Sequence, residues 1–215
     1  MKIYIDSCDI DQIKKYKDLG FVDGVTTNPS IIAKSGRDFK KVITEICNVI
    51  DTSISVEVIS TDYKNMLKEA EEFSKIAPQI TIKLPITEDG LMACKILSEK
   101  AFKINMTLCF SPLQALLAAK AGATYVSPFI GRLDDMGRDG IDLIADICSI
   151  FENYSDISTQ ILAASIRHPI HIIQAAKLGV DVITLPPKLI GVMINNPLTD
   201  KGIEIFLNDW NNIEK

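Results

Sequence analysis

The sequence predicts a closed (β/α)8 barrel followed by one extra C-terminal helix. Two observations carry that prediction and a third removes its rival. Short β-branched runs alternate with amphipathic stretches from end to end of the 215 residues, the pattern of a parallel sheet wrapped in helices. Eight such runs occur, the strand number that closes a TIM barrel. An open doubly wound sheet would carry a glycine-rich phosphate loop after its first strand. This chain has Asp6-Ser7-Cys8-Asp9 there instead.

The strand-like runs lie near Ile3–Asp6, Val22–Thr26, Ile54–Ile59, Ile80–Leu84, Ile104–Phe110, Thr124–Phe129, Gln160–Ser165 and Val182–Leu185. Between them apolar residues recur at helical spacing, as in Leu67, Ala70 and Phe73. Gly20, Gly24, Pro78, Gly122, Gly179 and Pro186 punctuate the joints. No linker or shift in composition marks a second unit, so a single domain over 1–215 is expected. Beyond the eighth run, about 199–213 reads as a helix with Ile203, Phe206, Leu207 and Trp210 on one stripe. That stripe needs cover from the barrel or from another subunit.

Composition narrows the function. A net charge of -5 and a pI near 5.1 argue against a sequence-independent grip on nucleic acid or anionic lipid. No apolar run approaches the roughly 18 residues that would cross a membrane. The five cysteines are scattered, odd in number and without a C-x-x-C pair, which speaks against a disulfide framework or a thiolate zinc site. A reducing cytoplasm is the expected setting.

Candidate site residues emerge from the phase of the strands, because residues two apart share a face. Thr81 and Lys83 oppose Ile80, Ile82 and Leu84; Ser55 and Glu57 oppose Ile54, Val56 and Val58. Asn105, Thr107 and Cys109 oppose Ile104, Met106 and Leu108, and Ala163, Ser165 and Arg167 oppose Leu162, Ala164 and Ile166. The apolar set should pack on the helices, leaving the polar set inside the barrel. Burying such groups is costly unless they form a network or meet a ligand. They also fall toward the C-terminal strand ends, where barrels carry their chemistry. Lys83 stands out, since a desolvated amine sheds its proton more readily and becomes a nucleophile. On pattern alone Glu57 is equally a strand-edge carboxylate, and Asp6 equally a cap for the following helix.

The chain has four arginines, and two of them, Arg132 and Arg167, follow the sixth and seventh runs. Guanidinium forks there suit a phosphate; surface ion pairs with Asp134 or Asp135 are the alternative. His168 and His171 flank Pro169, and with no carboxylate or thiol cluster offering a third ligand they read as structural rather than metal-binding. Asn28-Pro29 reads as a helix cap followed by proline at the first helical position. That cap is compatible with a binding role for Asn28.

Taken in order, Gly24-Val25-Thr26-Thr27-Asn28-Pro29-Ser30, Val56-Glu57-Val58-Ile59-Ser60, Ile82-Lys83-Leu84-Pro85, Asn105-Met106-Thr107-Leu108, Ser127-Pro128-Phe129-Ile130-Gly131-Arg132 and Ala164-Ser165-Ile166-Arg167 resemble the transaldolases. The likeness is to their short-chain branch, which includes fructose-6-phosphate aldolases. It runs the length of the chain to Pro197-Leu198-Thr199-Asp200-Lys201-Gly202. One departure is Ser7 after Asp6, where many relatives have threonine.

The resemblance implies that Lys83 forms an imine with a ketose phosphate and that a three-carbon dihydroxyacetone unit passes to an aldose phosphate. It assigns the acid/base at the cleaving bond to Asp6. Carbinolamine dehydration and hydrolysis fall to Glu57 with Thr107 and a water. Asn28, Asn105 and Ser165 become hydrogen-bonding partners of the sugar, with Ser127 and Phe129 also beside the substrate, and Arg132 and Arg167 become phosphate ligands. No cofactor or metal is implied, since a protonated imine is itself the electron sink. Relatives of this length form homo-oligomeric rings, often decamers of two pentamers.

Two positions bear on transfer against simple cleavage. The aldolases of the branch tend to carry Gln where this chain has Glu57, and Tyr where it has Phe129. Both take the transaldolase form, so a lyase is the second expectation. A non-covalent isomerase or sugar-phosphate binder is disfavoured by Lys83 and by the lack of a barrel-end histidine paired with a carboxylate.

Overall fold

Eight parallel strands pair in chain order and the eighth returns to the first, which closes the sheet. This computed structural model describes residues 1–213. The strands are β1 (Lys2–Asp6), β2 (Gly24–Thr26), β3 (Ser53–Glu57), β4 (Ile80–Pro85), β5 (Ile104–Cys109), β6 (Tyr125–Pro128), β7 (Gln160–Ala163) and β8 (Val182–Leu185). The helices are α1 (Ile10–Asp18), α2 (Pro29–Ser35), α3 (Phe39–Val49), α4 (Tyr63–Ser74), α5 (Glu88–Glu99), α6 (Pro112–Lys120), α7 (Ile130–Asp134), α8 (Gly140–Glu152), α9 (Pro169–Lys177), α10 (Pro187–Ile194) and α11 (Pro197–Ile213). Two crossovers therefore hold a pair of helices each, α2–α3 and α7–α8, which periodicity alone does not separate. The 1–215 expected as one domain includes Glu214 and Lys215, which lie outside the described residues.

Helix starts follow the sequence chemistry. Side chains of Asp9, Asn28, Asp38, Asp62, Thr87, Ser111 and Asp139 accept first-turn amides of α1 to α6 and α8. Asp9 rather than Asp6 caps α1, so Asp6 is released from the structural role open to it on pattern alone. Asn28 does cap α2, its Oδ1 accepting from Ile31 N at 2.9 Å with Pro29 at the start of the helix.

Outward strand residues such as Ile5, Val25, Ile54, Val56, Ile82, Leu84, Met106, Val126 and Ile183 are buried with the inner faces of the helices. A second, smaller apolar cluster is formed by Tyr4, Tyr125, Leu162, Ala164 and Val182. It lies on the opposite strand face, so it fills the barrel interior. The Tyr4 and Tyr125 rings meet edge-on with centroids 6.3 Å apart, and their hydroxyls pair at 3.2 Å. Gly24 makes room for this floor. A Cβ there would lie 2.7 Å from Tyr4 Cζ and 2.6 Å from Ser53 O.

Two phase expectations are corrected. In β7, Leu162 and Ala164 belong to the interior cluster while Ala163 joins the outer core. The apolar residues of this strand therefore face in, because the lower barrel is filled by hydrophobic side chains. Alternation then breaks at Ser165, whose φ of 59° is left-handed. In β5 the pairing with β6 shifts between Met106 and Cys109, with Leu108 at φ 60°. That bulge turns Cys109 into the outer core instead of the polar interior. Cys8 is likewise core packing.

Helix α11 begins two residues earlier than its stripe suggests and has no buried residue. Phe206 is 73% exposed and Trp210 60%; the barrel of the same chain does not cover them. Among the described residues, no helix is long and apolar enough to cross a membrane.

Candidate active site

On β1, β6 and β8 the barrel interior passes from apolar at the lower end to polar at the upper, while β3 and β4 hold polar side chains at both. Glu57, Lys83 and Asn105 stand in register on β3, β4 and β5. Lys83 Nζ lies 2.9 Å from Glu57 Oε2 and donates to Thr27 O at 3.0 Å. Side-chain exposure at this ion pair is 6% for Lys83 and 14% for Glu57, so water screens it little. Asn105 is fully buried. It donates to Ser55 Oγ at 3.1 Å and accepts from Ser127 Oγ at 2.7 Å. Thr107, also fully buried, has a hydroxyl with no hydrogen-bond partner among the described residues. A buried polar atom left this way calls for a water or a ligand.

Asp6 sits at the end of β1 against Thr26 and takes a 2.8 Å hydrogen bond from its hydroxyl. Burial pushes the Asp6 carboxyl above the usual range. The Lys83 cation and the Thr26 hydroxyl pull it back, and the Glu57 charge adds to the rise.

Above these groups opens a cavity of about 420 Å³ whose wall includes Asp6, Asn28, Lys83, Ser127, Phe129, Arg132, Ser165 and Arg167. Eight of the sequence-expected residues thus meet at one opening. The other three, Glu57, Asn105 and Thr107, are not on that wall; Glu57 and Asn105 touch it through Lys83 and Ser127. Thr26, Lys34, Thr184 and Pro186 also line the cavity without having been singled out. Thr26 and Thr184 are ordinary strand residues by composition, and only the closure of β8 on β1 brings them together.

The arginine loops are tied to one another through the main chain. Ile130 N donates to Ala164 O at 3.0 Å and Gly131 N to Ser165 O at 2.9 Å. A Cβ on residue 131 would come within 2.4 Å of both Ser165 O and Arg167 Cγ, so this close approach requires glycine. Arg132 lies over the Phe129 ring, 5.0 Å from its centroid. Arg167 pairs with Asp135 at 2.7 Å, as the alternative reading foresaw, yet it lines the cavity as well. Such an exposed pair is weak, worth about 0–1 kcal/mol, and a phosphate can compete for the guanidinium.

The sequence offered no third group near the two histidines; the fold supplies one. Asp134 from α7 joins His168 and His171, with one ligand-type atom of each within 4.8 Å of the others. The imidazole centroids lie 3.7 Å apart with the ring planes tilted by 44°. His171 Nδ1 accepts from Arg167 N at 3.4 Å and Nε2 lies 3.0 Å from Asp134 Oδ2, a contact too poorly aligned to count as a hydrogen bond. Burial and then His168 lower the His171 pKa. The arrangement holds the base of the Arg167 loop.

A sequence model described as transaldolase/fructose-6-phosphate aldolase matches residues 3–215. The chain belongs to the transaldolase/fructose-6-phosphate aldolase family. A probable transaldolase of Caldicellulosiruptor saccharolyticus is 55% identical over 215 residues, covering 100% of this chain and 99% of its own length. A probable transaldolase of Brucella anthropi is 57% identical over 210 residues, 98% of this chain and 96% of its own. One from an Anaeromyxobacter species is 53% identical over 215 residues, with 100% and 99% covered. The interior Lys83–Glu57 pair, a second carboxylate at Asp6 and the two arginines of the same cavity wall bring groups able to move protons beside groups able to hold an anion.

Proposed function

We propose that this enzyme is a transaldolase that moves a dihydroxyacetone unit from a ketose phosphate to an aldose phosphate through an imine on Lys83. The donor is sedoheptulose 7-phosphate or fructose 6-phosphate and the acceptor glyceraldehyde 3-phosphate or erythrose 4-phosphate, as in the pentose phosphate pathway. The buried Lys83–Glu57 pair carries this reading: a carboxylate 2.9 Å from the amine is within direct reach of the proton the amine must lose before it can attack.

The amine adds to the ketose carbonyl, and water leaves the carbinolamine with protons handled by Glu57. The Thr107 hydroxyl, without a partner among the described residues, suits the water that serves this step. The electron pair of the C3–C4 bond then moves into the protonated imine while Asp6 takes the proton of the C4 hydroxyl. The aldose phosphate departs, the enamine stays on Lys83, and attack on the acceptor aldehyde reverses the steps. Asn28, Asn105, Ser127 and Ser165 hold sugar hydroxyls, and Arg132 and Arg167 hold the phosphate. Phe129 offers no proton donor on the wall beside the enamine, which favours transfer over release as a lyase.

The bare apolar stripe of α11 supports a homo-oligomer, a pentamer or decamer by resemblance, and the five free thiols suit a reducing cytoplasm. Borohydride added with fructose 6-phosphate should leave a reduced sugar adduct on the peptide carrying Lys83. An adduct elsewhere, or inactivation without one, overturns the assignment.

A further inference from the structure

Thr26 and Thr184 are both nearly sealed from solvent, at 2% and 4% exposure, and their hydroxyl oxygens are 2.6 Å apart. Thr26 also lies 2.8 Å from Asp6 Oδ1. A hydroxyl has one hydrogen, and an ionised carboxylate can only accept. The Thr26 hydrogen is therefore committed to Asp6. The contact between the threonines is then a hydrogen bond only if the hydrogen of Thr184 points at Thr26.

From this geometry we infer that Thr184 is a positioning residue for Asp6 and acts solely through Thr26, in a one-way chain from Thr184 to Thr26 to the carboxylate. Successive hydrogen bonds polarise one another, so the outer hydroxyl strengthens the grip of the inner one on the ionised form. The charged groups facing Asp6 are Lys83 from β4 and Glu57 from β3. The strands on either side of β1, β2 and β8, carry no charged residue. Arg132, Arg167 and Lys34 lie elsewhere on the cavity wall. On its own flanks, then, the ionised carboxylate is steadied by the Thr26 hydroxyl, with the Lys83 cation facing it from β4. The inference rests on Asp6 being the group that takes the sugar proton, because only an ionised Asp6 can accept it.

The test follows the Asp6 carboxyl itself. Protein labelled with ¹³C at aspartate carboxyls is titrated, and the Asp6 resonance is assigned by its loss in Asp6→Asn. Thr26→Val should raise the midpoint by about one pH unit. Thr184→Val, with Thr184→Ala as a second hydroxyl-free variant, should raise it by about 0.3 of a pH unit. Thr184→Ser should restore the wild-type value. In a Thr26→Val background, Thr184→Val should move it no further, since the path runs through Thr26. The acid limb of kcat/KM should follow the same order. No change in the Thr184→Val titration, a downward change, or an equal rise in both backgrounds would overturn the inference. Turnover by Asp6→Asn is measured separately: full activity there removes Asp6 as the proton carrier but leaves the titration result standing.

Discussion

The two ends of the barrel interior share strands β1, β6 and β8, yet along those strands they are opposite in chemistry. At the lower end Tyr4, Tyr125, Leu162 and Val182 interlock, and the two tyrosine hydroxyls bond each other. Two residues further along β1, β6 and β8 stand Asp6, Ser127 and Thr184, and β3 to β5 add Glu57, Lys83, Asn105 and Thr107. Burying a packed ring stabilises the fold; burying a charge costs stability unless it is paired. The lower layer therefore underwrites a strained and charged upper layer, which includes the left-handed Leu108 and Ser165 at an expected cost of about 1–3 kcal/mol each.

Substitutions in the two layers should accordingly fail in different ways. The largest effect belongs to Lys83→Met. Loss of the nucleophile should reduce transfer on the order of 10⁴-fold or more, while far-UV circular dichroism still reports a folded barrel. Unfolding of this variant would mean that the Lys83–Glu57 pair holds the fold. Tyr4→Ala should do the converse, lowering unfolding free energy by about 3–5 kcal/mol with kcat per folded molecule nearly kept, as followed by denaturant titration. A large loss of kcat at unchanged stability would dissolve the division into layers.

Smaller effects sharpen the comparison within the upper layer. Arg132→Ala or Arg167→Ala should weaken use of phosphorylated ketoses by about 10–100-fold, one charge-assisted contact each, and spare unphosphorylated donors. Equal losses on both donor classes would make these arginines structural. Phe129→Tyr should change least, giving a several-fold gain (about 2–10-fold) in acceptor-free dihydroxyacetone release as one hydroxyl reaches the enamine. Rapid release by the unaltered enzyme would instead make it a lyase, and no gain in the variant would remove Phe129 as the discriminating residue.

The upper layer was the more readable of the two. Lys83 declares itself because a lysine inside Ile80–Pro85 has no solvated face to turn to. Asn28 does so through the proline that follows it. The barrel, too, was visible in the strand–helix alternation. Part of what escaped lay where strict alternation fails. The bulge at Leu108 and the left-handed Ser165 reset the phase of β5 and β7, and neither residue is a glycine that would have flagged the break. The Thr184–Thr26 contact and the placing of Asp134 beside His168 and His171 escaped for another reason. Partners 158 or 34–37 residues apart meet only through closure or crossover geometry, on which local pattern is silent.

Closure has a consequence for how this molecule comes into being. Strand β1 finds one neighbour in β2 early, but its other edge stays open until β8 pairs along Lys2–Ile5. On a ribosome, that edge waits for residues 182–185, nearly the whole of the chain. Parallel pairing across such a separation is slow, and an open edge is where newly made chains mispair. Asp6 ends that late-paired strand, and its hydroxyl chain is complete only when Thr184 arrives. A nascent barrel can thus be mostly built while the contacts from Thr184 through Thr26 to Asp6 still wait for the last strand to be made.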